Sequence, residues 1–193
     1  MEIIVKNNAQ FLFSIATVAD IPMHRYREVS FFGASNVGKS SIINAVCNQR
    51  NLAKTSKNPG RTQFINFFTF PPKTVIVDVP GYGFAHTPTV IRQNWQNLLL
   101  GYLESRQSNL KAYLLIDSRR FVRDNDLNVI SLFQQYCISF VFVMTKFDKL
   151  NKSEQCSLQA KIKEQFGDTC RVLITSAKNR FGIDMLKADI NAA

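Results

Sequence analysis

The chain has 193 residues, 46% of them hydrophobic and 20% charged, which suits one folded domain with a sizeable core and excludes a largely disordered chain. Lys and Arg number 24 against 14 Asp and Glu, a formal charge of +10; a polyanionic partner and simple solubility account for that surplus equally well. Cys47, Cys137, Cys156 and Cys170 form no CxxC pair, and His24 and His86 form no ligand cluster, so no zinc or disulfide framework is expected.

The charge is unevenly spread. Between Glu28 and Glu104 seven cations, Lys39, Arg50, Lys54, Lys57, Arg61, Lys73 and Arg92, face the single acid Asp78. No apolar run is long enough for a membrane span. Phe11 to Ala19 is apolar, but Glu2 precedes it and no AxA site follows, so it reads as an early strand of a cytoplasmic protein rather than a signal peptide.

From residue 28 onward apolar runs alternate with helical patterns, the mark of a sheet flanked by helices. The runs predict strands at Glu28–Phe32, Gln63–Phe70, Thr74–Val79, Ala112–Asp117, Phe140–Thr145 and Val172–Thr175. Helices are predicted near Lys39–Asn48, Val90–Arg106, Asp126–Tyr136, Ser153–Phe166 and Ile183–Ile190. Only Pro71, Pro72 and Lys73 join the second and third of those strands, too few for a parallel crossover, so that pair is expected to be antiparallel and the rest parallel.

Gly33-Ala34-Ser35-Asn36-Val37-Gly38-Lys39-Ser40 matches the phosphate-loop pattern GxxxxGK[ST] between a predicted strand and helix. Its glycines let backbone amides converge on phosphates, with the helix dipole behind them. Lys39 neutralises the β and γ phosphates, and the Ser40 hydroxyl faces Mg2+. The strand ending Asp78-Val79-Pro80-Gly81 supplies a carboxylate for Mg2+ and a Gly81 amide for the γ phosphate, which explains the isolated acid. Thr145-Lys146-Phe147-Asp148 ends another strand; the two acceptors of Asp148 match the N1 and N2 donors of guanine, which adenine lacks. Lys146 can lie against the base plane, and Thr175-Ser176-Ala177 can offer an amide to guanine O6. Thr62, after the polar Arg50–Arg61 segment, is placed to join the Mg2+ shell when a γ phosphate is present. The aromatic run Phe64, Phe67, Phe68 and Phe70 reads as core rather than a base-stacking platform.

SNVGKSS, GRTQ followed by INFF, DVPGYGFA, TKFDKL and TSA, in this order, resemble the EngB (YihA/YsxC) family of ribosome-biogenesis GTP-binding proteins, within the TRAFAC class of phosphate-loop GTPases. The resemblance implies a Ras-like α/β/α sandwich, its sheet mostly parallel with one antiparallel strand. It implies one domain over residues 1–193, with an N-terminal strand extension of about 1–27 before the core. GTP or GDP is then held by Gly33, Ala34, Ser35, Asn36, Val37, Gly38, Lys39, Ser40 and Ser41, by Gly60, Arg61, Thr62, Gln63 and Phe64, by Asp78 to Gly81, by Thr145 to Asp148, and by Thr175 to Ala177. Ser40, Thr62 and Asp78 are the implied Mg2+ residues, and Lys39, Thr62 and Gly81 the implied catalytic ones. The sequence departs from the family pattern at Ala34, usually arginine, and at Val79 and Phe84, usually leucine and tyrosine. The short stretch after the last helix leaves little room for a basic tail.

The implied function is a GTPase switch required for assembly of the large ribosomal subunit, and through it for bacterial growth, division and septation. Expected partners are GTP or GDP and the large subunit or its precursors, met as rRNA or ribosomal protein by a monomeric chain without a membrane. Tyr82 stands where Ras-like enzymes carry a water-orienting glutamine, so intrinsic hydrolysis is expected to be slow. Asn36 resembles a potassium-binding asparagine, which adds K+ to the expected cofactors. Arg119, Arg120 and Arg123 follow Asp117 as candidates for RNA contact or for a solvated loop. Two alternatives remain: an ATPase or nucleotide kinase, which the phosphate loop alone permits, and a nucleotide-gated ribosome-binding scaffold with negligible turnover.

Overall fold

The computed structural model describes residues 8–24, 26–54, 64–83, 89–106, 109–167 and 170–192. Its strands are β1 (Gln10–Ile15), β2 (Arg27–Gly33), β3 (Ile65–Phe70), β4 (Thr74–Asp78), β5 (Leu110–Asp117), β6 (Ser139–Thr145) and β7 (Val172–Ile174). Its helices are α1 (Lys39–Val46), α2 (Thr89–Ser105), α3 (Asp124–Gln135), α4 (Lys152–Phe166) and α5 (Ile183–Ala192). The strands form one sheet in the order β1-β3-β4-β2-β5-β6-β7. Strand β3 runs antiparallel to both of its neighbours, as the three-residue link before β4 demands. The β4-β2-β5-β6-β7 pairs are all parallel.

The near-continuous apolar runs of β4, β5 and β6 reflect burial on both faces. Phe31 and Phe32 illustrate the pleat, because adjacent side chains point to opposite sides. Phe31 joins Ile42, Ile43 and Val46 of α1 and Ile183, Leu186 and Ile190 of α5 in one core. Phe32 joins Leu98, Tyr102 and Leu103 of α2, Phe133 of α3 and Leu158 of α4 in the other. The result is the expected three-layer α/β/α sandwich.

Two expectations need correction. The early strand ends at Ile15, and Val18–Asp20 forms a 3-10 turn. The Asp20 carboxylate accepts from the Thr17 amide at 3.2 Å and the Thr17 hydroxyl at 2.9 Å, local bonds that compete with strand pairing. The aromatic run also divides. Phe67, Phe68 and Phe70 are buried, whereas Phe64 precedes the ladder and is 45% exposed.

Parallel strands put their starts at one end of the sheet, and two carboxylates there have charged partners within the chain. Glu28, buried at the start of β2, accepts from Arg106 Nε at 3.0 Å and from the Tyr102 hydroxyl at 2.6 Å. His24 Nε2 lies 2.8 Å from the same carboxylate, which gives that histidine a structural place. Arg106 also donates to the Pro22 carbonyl, holding the approach to β2 against α2. On the other face, Asp189 of α5 accepts from the Tyr113 hydroxyl at 2.8 Å, sits 2.9 Å from Lys111 Nζ and pairs with Arg171.

Candidate functional site

The opposite end collects the C-terminal ends of the parallel strands, where open α/β sheets bind ligands. Strand β2 ends at Gly33, and residues 34–38 turn into α1. Gly38 caps α1 at φ 110°, in the left-handed region that side chains resist. Asn36 tolerates a similar conformation at φ 62°. The loop amides and the helix dipole together make an anion site.

Beside it, Lys39 Nζ lies 3.9 Å from Asp78 Oδ1 at the end of β4, with Ser40 next along the first turn of α1. Burial pushes the Asp78 carboxyl above its ordinary range, with Lys39 and Ser40 pulling against it. Asp78 is 6% exposed, and its Oδ1 has no hydrogen-bond donor. A buried anionic oxygen without a donor calls for a cation, and a hydroxyl with a carboxylate suits Mg2+. Val79 and Gly81 are buried with Pro80 between them; the Val79 amide donates to the Phe31 carbonyl at 3.3 Å, which holds this segment to the end of β2.

Next to α1 opens a cavity of about 830 Å3, lined by Val37, Gly38, Ser41, Lys146, Asp148 and Ala177 among others, a volume suited to a nucleotide-sized ligand. Asp148 accepts from the Ser176 hydroxyl at 2.6 Å through Oδ1, while Oδ2 is buried without a partner. One oxygen is thus held and the other is left for a donor on the ligand. Thr175 is buried, its hydroxyl donating to the Met144 carbonyl at 2.9 Å. Phe147 stacks on Phe181 with ring centroids 4.9 Å apart, joining the loops after β6 and β7. Thr145 points inward, donating to the Val37 carbonyl at 2.7 Å, so its hydroxyl supports the phosphate loop.

Lys146 adopts φ 58° and reaches across that loop, donating to the Asn36 carbonyl at 2.6 Å. Its ammonium also lies 2.9 Å from Asp117 Oδ2. Burial raises the Asp117 carboxyl, but hydrogen bonds from Arg119 and Lys146 outweigh it and hold the group well below the usual carboxylate range. Arg119 thus pairs with Asp117 at 2.7 Å, and Arg119, Arg120 and Arg123 are all exposed.

The structure thus brings Gly33–Ser41, Asp78–Gly81, Thr145–Asp148 and Thr175–Ala177 to one edge. Phe64 stands exposed at the start of β3, while Gly60, Arg61, Thr62 and Gln63 lie outside the described residues, as do Phe84 and His86. Sequence reasoning did not place Asp117, Phe181 or the Ser176 hydroxyl in the site. Asp117 carries the signal that marked Asp78, an acid ending an apolar strand; the other two carry none.

A family model described as a 50S ribosome-binding GTPase matches residues 28–146. The probable GTP-binding protein EngB of Rickettsia prowazekii is 39% identical over 184 residues, spanning 95% of this chain and 86% of that protein. The chain belongs to the EngB family. The EngB of Cereibacter sphaeroides is likewise 39% identical, over 92% of this chain and 83% of its own. A crystal structure of a probable EngB superposes with a TM-score of 0.66 at 21% identity, over 86% of this chain and 97% of that one. Aquifex aeolicus Era bound to GDP and aluminium fluoride gives 0.68 at 18% identity, over 87% of this chain and 57% of Era; at these identities the likeness concerns the fold. As an EngB-family GTPase, the chain binds GTP and GDP and hydrolyses GTP to GDP and phosphate. Among the described residues, no helix is long and apolar enough to cross a membrane.

Proposed function

We propose that this EngB-family GTPase acts as a Mg2+-dependent GTP switch in assembly of the large ribosomal subunit, serving bacterial growth, division and septation in the cytoplasm through ribosome supply. The observation that carries the switch is a pair of carboxylate oxygens without donors, Asp78 Oδ1 beside Lys39 of the phosphate loop and Asp148 Oδ2 in the neighbouring cavity. Ser40, Thr62 and Asp78 would hold Mg2+, which supplies charge neutralisation at the β and γ phosphates. Gly33–Ser41 and Gly60–Phe64 receive the phosphates, with Lys39, Thr62 and Gly81 serving the hydrolytic step. Thr145–Asp148 and Thr175–Ala177 receive the base.

The ribosomal partner is supported by the match to a family of 50S ribosome-binding GTPases and by the charge of +10, which favours phosphate neutralisation on rRNA. An Era structure with a TM-score of 0.64 holds both MgGDPNP and a 16S rRNA fragment, so the same fold serves an RNA-bound GTPase in that protein. Slow intrinsic turnover is supported by Tyr82, which is 7% exposed with its hydroxyl given to Asp126, leaving no free group to orient water from that position.

Sedimentation with large-subunit particles under GDP, GTP and a non-hydrolysable analogue, alongside phosphate release, tests the proposal. Co-sedimentation is expected to rise with the analogue, and phosphate release with added particles. Binding that ignores the nucleotide would sink the switch, and binding that follows the nucleotide without phosphate release would leave a gated scaffold. K+ stimulation through Asn36 falls if the rate is unchanged when Na+ replaces K+.

A further inference from the structure

Tyr82 directly follows Gly81, and three contacts fix it. Its carbonyl accepts from the Ser35 amide at 2.9 Å. Its backbone forms a parallel bridge with Ala34. Its phenol donates to Asp126 Oδ1 in the first turn of α3. Asp126 is itself 6% exposed, and its Oδ2 accepts from the Arg123 amide at 2.9 Å. That carboxylate therefore belongs to the frame of α3. Burial and the adjacent Asp126 charge push the phenol's pKa upward, so the hydroxyl keeps its proton and remains a donor throughout the physiological range. Gly81 lies directly on the phosphate loop: a Cβ there would come within 3.1 Å of the Ser35 Cα and amide nitrogen.

We propose that Tyr82 is a positioning residue for recognition of the γ phosphate. Its backbone is zipped to the phosphate loop and its side chain is pinned to α3, so the amide of the preceding Gly81, itself packed on Ser35, is held against the place a γ phosphate would occupy. The inference rests on the nucleotide site proposed above. It also assigns Asp126, through Tyr82, to the same device, and it separates Tyr82 from any direct part in water activation. The physical consequence is selective. GDP has no γ phosphate, so a residue that acts through Gly81 changes affinity for GTP and leaves GDP alone, whereas a merely structural residue changes both.

Tyr82→Phe keeps the ring and removes the bond. Affinities for GDP and for a non-hydrolysable GTP analogue, measured by fluorescence titration, are expected to split: about tenfold weaker for the analogue, as fits loss of one hydrogen bond to a charged group, and within about twofold of wild type for GDP. Asp126→Asn, which keeps a neutral acceptor, should give a smaller split in the same direction, and the double variant should be no worse than Tyr82→Phe alone. Equal losses for both nucleotides, an unchanged ratio, or additive effects would overturn the inference. Asp148→Asn in parallel separates the two levels. If that variant keeps wild-type guanine-nucleotide affinity, the nucleotide site is wrong and the inference falls with it. If it loses affinity while Tyr82→Phe leaves the ratio unchanged, the tether alone is wrong.

Discussion

The two ends of the sheet both carry carboxylates, and they treat them in opposite ways. At the strand starts, Glu28 is met by Arg106, Tyr102 and His24, and Asp189 by Tyr113, Lys111 and Arg171. Each is neutralised within the chain. At the strand ends, Asp78 Oδ1 has only Lys39 at 3.9 Å, and Asp148 Oδ2 has no hydrogen-bond partner. Folding alone gives no reason to leave such oxygens bare, since an unpartnered buried acceptor costs about 1 to 3 kcal/mol. The saturated end holds the fold together and the open end is where a ligand completes it.

The largest effect that would break this contrast belongs to the saturated end. Glu28→Ala leaves Arg106 and Tyr102 without their carboxylate, so urea unfolding is expected to show a loss of about 3 to 5 kcal/mol, with GDP affinity of the folded fraction unchanged. Asp148→Asn should behave inversely. Guanine-nucleotide affinity falls about 100-fold and xanthosine nucleotides are admitted, while stability moves by less than about 0.5 kcal/mol because Ser176 keeps an oxygen to donate to. Competition titration with the two bases reads this directly.

Next comes pH dependence. The Asp78 carboxyl is raised in the folded state, so its ionisation weakens the ligand-free fold as pH climbs from about 4 through the folded value. Asp78→Asn should therefore be at least as stable as wild type at neutral pH, yet lose the Mg2+-dependent part of nucleotide affinity. Asp117 has the opposite sign: its carboxyl is held low by Arg119 and Lys146 against the effect of burial. Its stabilisation is present above the ordinary carboxylate value and fades as pH falls below about 4, so the deficit of Asp117→Asn should shrink there. Thermal unfolding of the three proteins from pH 3 to 7 checks both signs. The smallest effect is Phe181→Ala, which removes the stack on Phe147. A loss of about 1 kcal/mol in base-loop packing predicts about fivefold faster release of GDP and GTP alike, with kcat unchanged, as stopped-flow dissociation would show.

Local chemistry carried most of the architecture. The apolar runs marked the strands from β2 to β7 to within two residues at described boundaries, because a strand buried on both faces must be apolar throughout. The three-residue link before β4 dictated the antiparallel pair. The phosphate loop was equally legible, since its glycines and lysine act through backbone shape and charge that neighbouring residues specify. The early strand was read too long because Asp20 draws the chain into a turn through one side-chain bond, a competition that apolar character does not reveal.

By itself, then, the amino-acid order determined the α/β layering, the phosphate and base motifs and the isolation of Asp78, all properties of short segments and their spacing. Tertiary structure decided which charges are satisfied. Asp117 meets Lys146 across two strand ends, Ser176 meets Asp148 across two loops, and Tyr82 meets Asp126 over 44 positions of chain. Such pairs depend on how parallel strands bring distant loops to one edge, and no local pattern records that convergence. The difference between a carboxylate that holds the fold and one that awaits a ligand lies in those long-range partners.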